Sequence, residues 1–210
     1  MSTVLHGYGY SVYTRIAKMV LIEKEVHFDY QEIDPFSEDV PTAYLHLHPF
    51  NRVPAFQHGD FTLYETSAIT GYINETFPGR DLMPGDKQAR ARLSQLLSII
   101  DNYAYWPLVR QIFSNSYFLP HFDQPSDLSD LKAGLKSAPD ILKVLDGICS
   151  EGLVLRPQTT TIADLHLAPM MAYFMMTKEG QSLMPDYPAL EQWWSGISDL
   201  QSLTATEPQF

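Results

Sequence analysis

The sequence predicts a small α/β domain with a mixed four-stranded sheet, followed by an all-α helical bundle domain. Three observations support this. The amino-terminal part alternates strand, helix and strand and then continues with a strand hairpin and a helix. A stretch with Pro84-Gly85 is typical of a linker, and beyond it apolar residues recur at helical spacing. We therefore expect domains over 1–82 and 88–210, joined by a linker over 83–87.

The first elements form a β-α-β unit. Thr3–His6 is a short β-like run that leads into a turn rich in glycine and tyrosine. Apolar residues at helical spacing then reach Lys24, and Ser11 is the expected N-cap of this helix. Val26–Ile33 alternates sufficiently for a second strand. A β-α-β order implies a parallel pair of strands.

A hairpin completes the sheet. Val53–Gln57 and Phe61–Tyr64 are predicted strands joined by His58-Gly59-Asp60, a good hairpin signal. Glu65-Thr66-Ser67 then opens a helix that stops before Pro78-Gly79. A hairpin that follows a parallel β-α-β unit gives the thioredoxin-like arrangement.

The second domain begins with a helix whose apolar stripe starts at Leu93 and contains Pro107, which should kink it. Residues 126–149 predict another helical stretch, interrupted near Pro139. Both helices are expected to pack in the bundle.

Two further helices close the chain. Thr161-Ile162-Ala163-Asp164 has the form of a capping box, with Asp in place of the usual Glu. The helix that it opens extends to about Thr177 and is apolar nearly all round, so we expect it at the centre of the bundle. Pro188–Ile197 predicts a final short helix.

Charge and cysteine content restrict the possible partners. The chain has 14 basic and 25 acidic residues and a formal net charge of −11, so nucleic acid and anionic membranes are poor partners. The single Cys149 excludes an intrachain disulfide and any CxxC motif, and we expect its thiol to be buried or inert.

His46-x-His48 lacks an apparent third ligand, so no metal is expected. The start of the chain shows no signal peptide and the longest apolar stretch is too short for a membrane span, which favours the cytoplasm.

Ser11 has two interpretations. Taken alone, it is an N-cap hydroxyl. In the functional interpretation, the hydroxyl donates a hydrogen bond to an anion at the helix N-terminus, where the dipole and free N–H groups already favour negative charge. A thiolate is a suitable anion, because a thiol with a pKa of about 8.5 is only about 3% ionised at pH 7.

Two more segments could bind a ligand. A cis Val53-Pro54 bond would turn the backbone groups of Val53 toward an extended, peptide-like ligand, although a trans bond is favoured on spacing alone. Glu65-Thr66-Ser67 is, taken alone, a helix cap. Alternatively, Thr66 and nearby N–H groups bind a carboxylate while Glu65 pairs with an ammonium group, as the end of an α-amino acid requires.

Together these segments resemble a cytosolic glutathione transferase over nearly the whole chain. The turn from Tyr8 to Ser11 resembles the first strand-to-helix turn of the family, and HPFNRVPAF at 48–56 resembles its NPxGKVPxL segment. DFTLYETSAI at 60–69 resembles its ESxAI segment. The capping box at 161–164 and YPALxxW at 187–193 resemble its carboxyl-terminal motifs.

The resemblance implies a role for each matching position. Ser11 would stabilise the glutathione thiolate, as in serine-type, bacterial- or fungal-like members, and Tyr8 and Tyr10 in the same turn are alternatives. Arg52 would meet the glycine carboxylate. The backbone of Val53, with Pro54 in cis, would bind the cysteinyl part of glutathione. Glu65 and Thr66 would bind its γ-glutamyl end. Thr161 and Asp164 would be structural.

Some positions depart from the family pattern. Val12 replaces a frequent Pro, and Asn51 stands where Gly is common. No cysteine lies near Ser11, which argues against the cysteine-type classes.

The resemblance implies a cytoplasmic, homodimeric detoxification enzyme that uses glutathione as co-substrate. It would add the glutathione thiolate to a small hydrophobic electrophile, with no nucleic acid, membrane or metal involved. The electrophile pocket is expected to contain Tyr10, Tyr103, Trp106, Arg110 and Phe113, although such aromatic clusters more often belong to a core. The alternatives are a binding or scaffold protein with little turnover, and a glutathione-dependent peroxidase or isomerase.

Overall fold

The computed structural model describes residues 1–210 and divides them into two compact units. The first unit contains Met1–Leu82 and Gln201–Gln209, and the second contains Met83–Leu200 and Phe210. The chain passes from the first unit to the second after residue 82, and residues 201–209 group with the first unit again.

The first unit is built on a mixed four-stranded sheet. Its elements are β1 (Thr3–Gly7), α1 (Val12–Glu23), β2 (Asp29–Glu32), α2 (Thr42–Leu47), β3 (Ala55–His58), β4 (Phe61–Tyr64), α3 (Thr66–Thr76) and α10 (Gln201–Ala205). The strand order is β2-β1-β3-β4, with β1 and β2 parallel and the other pairs antiparallel. This arrangement confirms the predicted thioredoxin-like sheet, although β2 is shorter than the predicted Val26–Ile33.

Helix α1 connects the sheet to the rest of the first unit. Its apolar positions at helical spacing, including Ile16 and Val20, are fully buried, and the helix packs against α3 and β1. Arg15 on the same helix is also buried and donates to the carbonyl of Leu203 at 2.8 Å. This bond explains why residues 201–209 belong with the amino-terminal domain.

The second unit is helical throughout. It contains α4 (Lys87–Ile99), a π-helix (Ile100–Phe118), α5 (Leu119–His121), α6 (Leu128–Glu151), α7 (Ile162–Met175), α8 (Lys178–Leu183), a 3₁₀ turn (Met184–Asp186) and α9 (Pro188–Ile197). Residues Ile162–Met171 are all buried, as the all-round apolar pattern predicts. Helix α7 contacts α4, the π-helix, α8 and α9.

The prolines do not interrupt the helices. Helix α6 runs continuously through Pro139, so the predicted interruption is wrong. A proline inside a helix costs about 3 kcal/mol. Burial of Leu142, Leu145 and Ile148, on a helix that packs against the π-helix and α9, offsets that cost. Pro107 likewise lies inside the π-helix.

Candidate active site

Ser11 lies at the turn between β1 and α1. It is the N-cap of α1, with φ −77° and ψ 121°, and its Oγ accepts the N–H of Thr14 at 3.3 Å. Its own N–H donates to the carbonyl of Tyr8 at 2.9 Å. Because the cap bond uses Oγ only as an acceptor, the hydroxyl proton can still be donated to an anion. The capping interpretation and the functional one are therefore compatible at this residue.

Thr14 and Glu32 fix the backbone of this turn. A Cβ on Gly7 would lie 2.2 Å from Cγ2 of Thr14, so only glycine fits there. The N–H of Tyr8 donates to Oγ1 of Thr14 at 3.2 Å, and the N–H of Gly9 donates to Oε1 of Glu32 at 2.8 Å. The turn is thus held from α1 on one side and from β2 on the other. Sequence reasoning missed both side chains, because neither belongs to a recognisable motif.

Tyr8 and Tyr10 make an edge contact in the same turn. Their ring centroids lie 5.5 Å apart, and the ring of Tyr8 also meets that of Phe36 at 6.0 Å. Burial, followed by the negative charge of Asp34, raises the pKa of the Tyr8 phenol above its usual value. Tyr8 therefore stays protonated at neutral pH, and its hydroxyl can donate a hydrogen bond to an anion.

The loop before β3 presents Arg52 and Val53. The Val53-Pro54 peptide bond is cis, as the family resemblance implies. Arg52 is exposed and forms no ion pair, while its carbonyl accepts the hydroxyl of Tyr44. Asn51 has φ 48°, a left-handed conformation that explains why glycine is common at this position and why Asn can replace it.

The start of α3 is not capped by a side chain. Glu65, the N-cap residue, makes no side-chain hydrogen bond to the helix, which is the opposite of the simple capping interpretation. Its backbone has φ 70° and ψ 115°, a sparsely populated conformation for a non-glycine residue. Its side chain is exposed, and Thr66 behind it is buried. The free N–H groups and the exposed carboxylate can therefore serve a ligand with an adjacent carboxylate and ammonium group.

His48 connects these two segments and was not predicted as a site residue. It is buried, and its ring centroid lies 4.9 Å from that of Tyr64, the last residue of β4. Burial lowers the pKa of His48 below its usual value, while the negative charge of Glu65 opposes this shift. His46, in contrast, is exposed. No group of three or more His, Cys, Asp or Glu residues is arranged to hold a metal ion.

The expected electrophile-pocket residues differ in burial. Tyr10 belongs to the first unit, and the other four lie on the π-helix of the second unit. Arg110 is exposed, as are Tyr103 at 65% and Trp106 at 56%. Phe113 is buried and stacks on Tyr173 with ring centroids 4.4 Å apart, so it contributes to the core of its unit. The electrophile pocket itself remains a prediction.

The capping box of α7 is present and includes a third residue. Oδ2 of Asp164 accepts the N–H of Thr161 at 2.7 Å and its hydroxyl at 2.8 Å, and Oδ1 accepts the indole N–H of Trp193 at 2.8 Å. Burial raises the pKa of Asp164, and these donors oppose the shift. Cys149 is a free thiol whose pKa is raised to about 12 by burial, which fits an inert residue.

Two protein-family profiles match this chain. The family profile "Glutathione S-transferase, N-terminal domain" matches residues 5–81, and "Glutathione S-transferase, C-terminal domain" matches residues 105–200. A glutathione S-transferase of Arabidopsis thaliana is 27% identical over 99% of this chain and 96% of its own length. One from Hyoscyamus muticus is 28% identical over 94% of this chain and 93% of its own length.

Solved structures give the same result for the fold. A crystal structure of a glutathione transferase from Populus trichocarpa aligns with a TM-score of 0.82 and 25% identity, over 97% of each chain. A maize glutathione S-transferase in complex with an atrazine glutathione conjugate aligns with a TM-score of 0.81 and 21% identity, over 98% of this chain and 96% of its own. The two relatives above come from plants and do not support the expected bacterial- or fungal-like affinity. None of the helices combines the length and the apolar character needed to cross a membrane.

Proposed function

The chain belongs to the glutathione S-transferase family, and on this premise we propose that it transfers glutathione to small hydrophobic electrophiles. The observation that carries the proposal is the uncapped start of α3. There a strained, exposed Glu65 and free backbone N–H groups suit the ammonium and carboxylate of a γ-glutamyl end.

The other glutathione contacts follow from the loop before β3. Val53 offers backbone groups to the cysteinyl part of the tripeptide, next to the cis Pro54. The exposed guanidinium of Arg52 has no protein carboxylate as a partner and is available for the glycine carboxylate. These contacts work against the net charge of −11, which repels an anionic ligand.

Ser11 is the proposed donor to the sulfur, which makes the enzyme serine-type. Its hydroxyl and the N-terminus of α1 stabilise the thiolate. Lowering a thiol pKa by ~2 units corresponds to ~2.7 kcal/mol, an amount that one charge-assisted hydrogen bond and a helix end can supply. Tyr8, kept neutral by its environment, is the alternative donor.

The reaction needs no covalent intermediate with the protein. The glutathione thiol loses its proton to solvent water, and the thiolate attacks an electrophilic carbon to form a C–S bond. With a chlorinated arene, the C–Cl bond breaks and chloride leaves. The protein contributes positioning and stabilisation of the anion. We also propose that the protein is a cytoplasmic homodimer and that the exposed Tyr103, Trp106 and Arg110 of the π-helix contact the electrophile.

Calorimetric titration with glutathione followed by conjugation of chlorodinitrobenzene tests the proposal. We expect glutathione to bind at micromolar to millimolar concentrations and the conjugate to form at a rate proportional to enzyme. Absence of binding at millimolar glutathione would refute the whole proposal. Binding without turnover of any electrophile in a broad panel would favour the scaffold alternative, and turnover of peroxides alone would favour a peroxidase.

A further inference from the structure

We propose that Glu32 is a positioning residue for the thiolate site, because it holds the Tyr8–Ser11 turn in place through the backbone of Gly9. The inference rests on the proposed function, since the turn matters only if Ser11 meets a thiol. Glu32 is not part of any motif that carries the family resemblance. It is the last residue of β2 and the register partner of Gly7 in β1. Its side chain therefore begins beside the point where the turn leaves the sheet.

Both carboxylate oxygens of Glu32 are used. Oε1 accepts the N–H of Gly9 at 2.8 Å, and Oε2 accepts the hydroxyl of Tyr30 at 2.7 Å. Tyr30 is itself covered by Lys18 of α1, whose Nζ lies 3.3 Å from the ring centroid. The cation over the ring and the bond from the hydroxyl orient the carboxylate. A chain of contacts thus runs from α1 through β2 to Gly9, two residues before Ser11.

Thr14 also makes several contacts that hold the turn. This residue packs against Gly7, accepts the N–H of Tyr8 and donates its own N–H to Ser11. All of them approach from α1, whereas Glu32 approaches from β2. Without Glu32, the N–H of the exposed Gly9 would bond only to water, and the middle of the turn would lose its contact with the sheet. Because a misplacement of about 1 Å in a catalytic group can cost ~100-fold in rate, a loosened turn should impair Ser11.

The negative charge of Glu32 disfavours a thiolate near the turn, whereas its hydrogen bond to Gly9 holds the turn in place. The charge contributes to the raised pKa of Tyr8, and a negative charge near the turn disfavours an anion in the same place. Glutamine has the same shape, can accept the N–H of Gly9 and can donate to the oxygen of Tyr30, but it carries no charge. Glu32→Gln therefore separates the holding role from the charge, and Glu32→Ala removes both.

The test compares Glu32→Ala, Glu32→Gln and Tyr30→Phe with wild type and with Asp29→Ala, an exposed control on the same strand. The measurements are the Kd for glutathione by calorimetry, kcat and KM with chlorodinitrobenzene, and the pH profile of kcat/KM. For Glu32→Ala we expect kcat to fall about tenfold, the apparent pKa of the bound thiol to rise by about one unit and the Kd for glutathione to change less than about threefold. Glu32→Gln and Asp29→Ala should stay within about threefold of wild type in kcat.

Several outcomes overturn the proposal. A Glu32→Ala enzyme with the pH profile and kcat of wild type would do so, as would Glu32→Gln being as slow as Glu32→Ala. Tyr30→Phe keeps the carboxylate and loses one of the bonds that orient it, so we expect a smaller loss in the same direction. An unchanged Tyr30→Phe enzyme would overturn the proposal even if Glu32→Ala did not fold. A wild-type protein that does not bind glutathione refutes the proposed function instead, and the calorimetric titration distinguishes the two failures.

Discussion

The indole N–H of Trp193 in α9 donates to the same carboxylate, Asp164, that caps α7 through Thr161. All three residues are buried, so the carboxylate satisfies three donors that water cannot reach. The hydrogen bond from Trp193 to Asp164 joins α9 to α7, and the two residues are 29 positions apart in the sequence.

Asp164→Ala should lower the free energy of unfolding by about 3 kcal/mol or more, because it leaves three buried donors unpaired. Asp164→Asn is the matched control. Its amide oxygen can still accept the indole N–H, but its NH₂ group cannot accept the two donors from Thr161, so we expect an intermediate loss. Urea denaturation measures both. Equal stability of Asp164→Ala and wild type would contradict the prediction.

Gly7→Ala should disrupt the turn from Tyr8 to Ser11, whereas Gly9→Ala should not. A Cβ at Gly7 would lie 2.2 Å from Cγ2 of Thr14, but at Gly9 the nearest atom would be Oε1 of Glu32 at 3.7 Å, an ordinary contact. We expect Gly7→Ala to cost roughly 1–3 kcal/mol in stability and most of the activity, and Gly9→Ala to cost less than about 0.5 kcal/mol in stability. Thermal unfolding and the conjugation assay compare the pair. A fully active Gly7→Ala enzyme would show that Thr14 can move aside.

Ser11→Ala should lower kcat about 100-fold and destabilise the protein by about 1 kcal/mol, because it removes the proposed sulfur donor and the N-cap of α1 together. Ser11→Asn restores a capping acceptor and separates the two effects, since its stability should recover while its activity does not. Tyr8→Phe and Tyr10→Phe are assayed in parallel. Full activity of Ser11→Ala with loss in one of the tyrosine variants would transfer the donor role to that tyrosine.

Glu65→Gln should raise the KM for glutathione about tenfold or more with little change in kcat at saturation, because it removes the charge proposed to pair with the ammonium group. The substitution keeps the shape of a side chain whose backbone has φ 70°. Glu75→Gln, an exposed site on the same helix, is the control. An unchanged KM in Glu65→Gln would argue that the ammonium group binds elsewhere.

The parts of the fold that were predicted from sequence are those with a local pattern. The hairpin at His58-Gly59-Asp60 and the capping box at Thr161 each depend on residues close together in the chain. The contact of Arg15 with Leu203 spans 188 residues and leaves no periodic signal, so α10 was not assigned to the first domain. Similarly, nothing in the sequence near Pro139 reveals that packing would keep α6 continuous.

The same contrast between local motifs and contacts distant in sequence applies to the candidate site. Arg52, Glu65 and Thr66 are predicted site residues because they fall in motifs, and the structure adds that the start of α3 has no side-chain cap. Glu32 and His48 were missed because their roles depend on strand register and ring contacts. A residue that acts through another residue's backbone carries no signature of its own.

Stability should fall as the pH drops from 7 toward 4, in part because of His166. This side chain is fully buried in α7, and burial lowers its pKa to about 3. In the unfolded chain the same group has a pKa of about 6.5. Below that pH the unfolded state binds a proton that the folded state does not, so the unfolded state becomes more favourable.

The expected slope from one such histidine approaches about 1.4 kcal/mol per pH unit once the pH is well below 6.5, and it ends near the folded pKa. Urea denaturation at pH 7, 6 and 5 measures it, in a range where ordinary carboxylates titrate little. His166→Leu removes the titrating group, so its pH dependence should be shallower by about that amount. His48, whose pKa is also lowered by burial, adds to the slope in both proteins and so cancels in the comparison. Identical slopes for wild type and His166→Leu would show that the buried imidazole takes up a proton in the folded state.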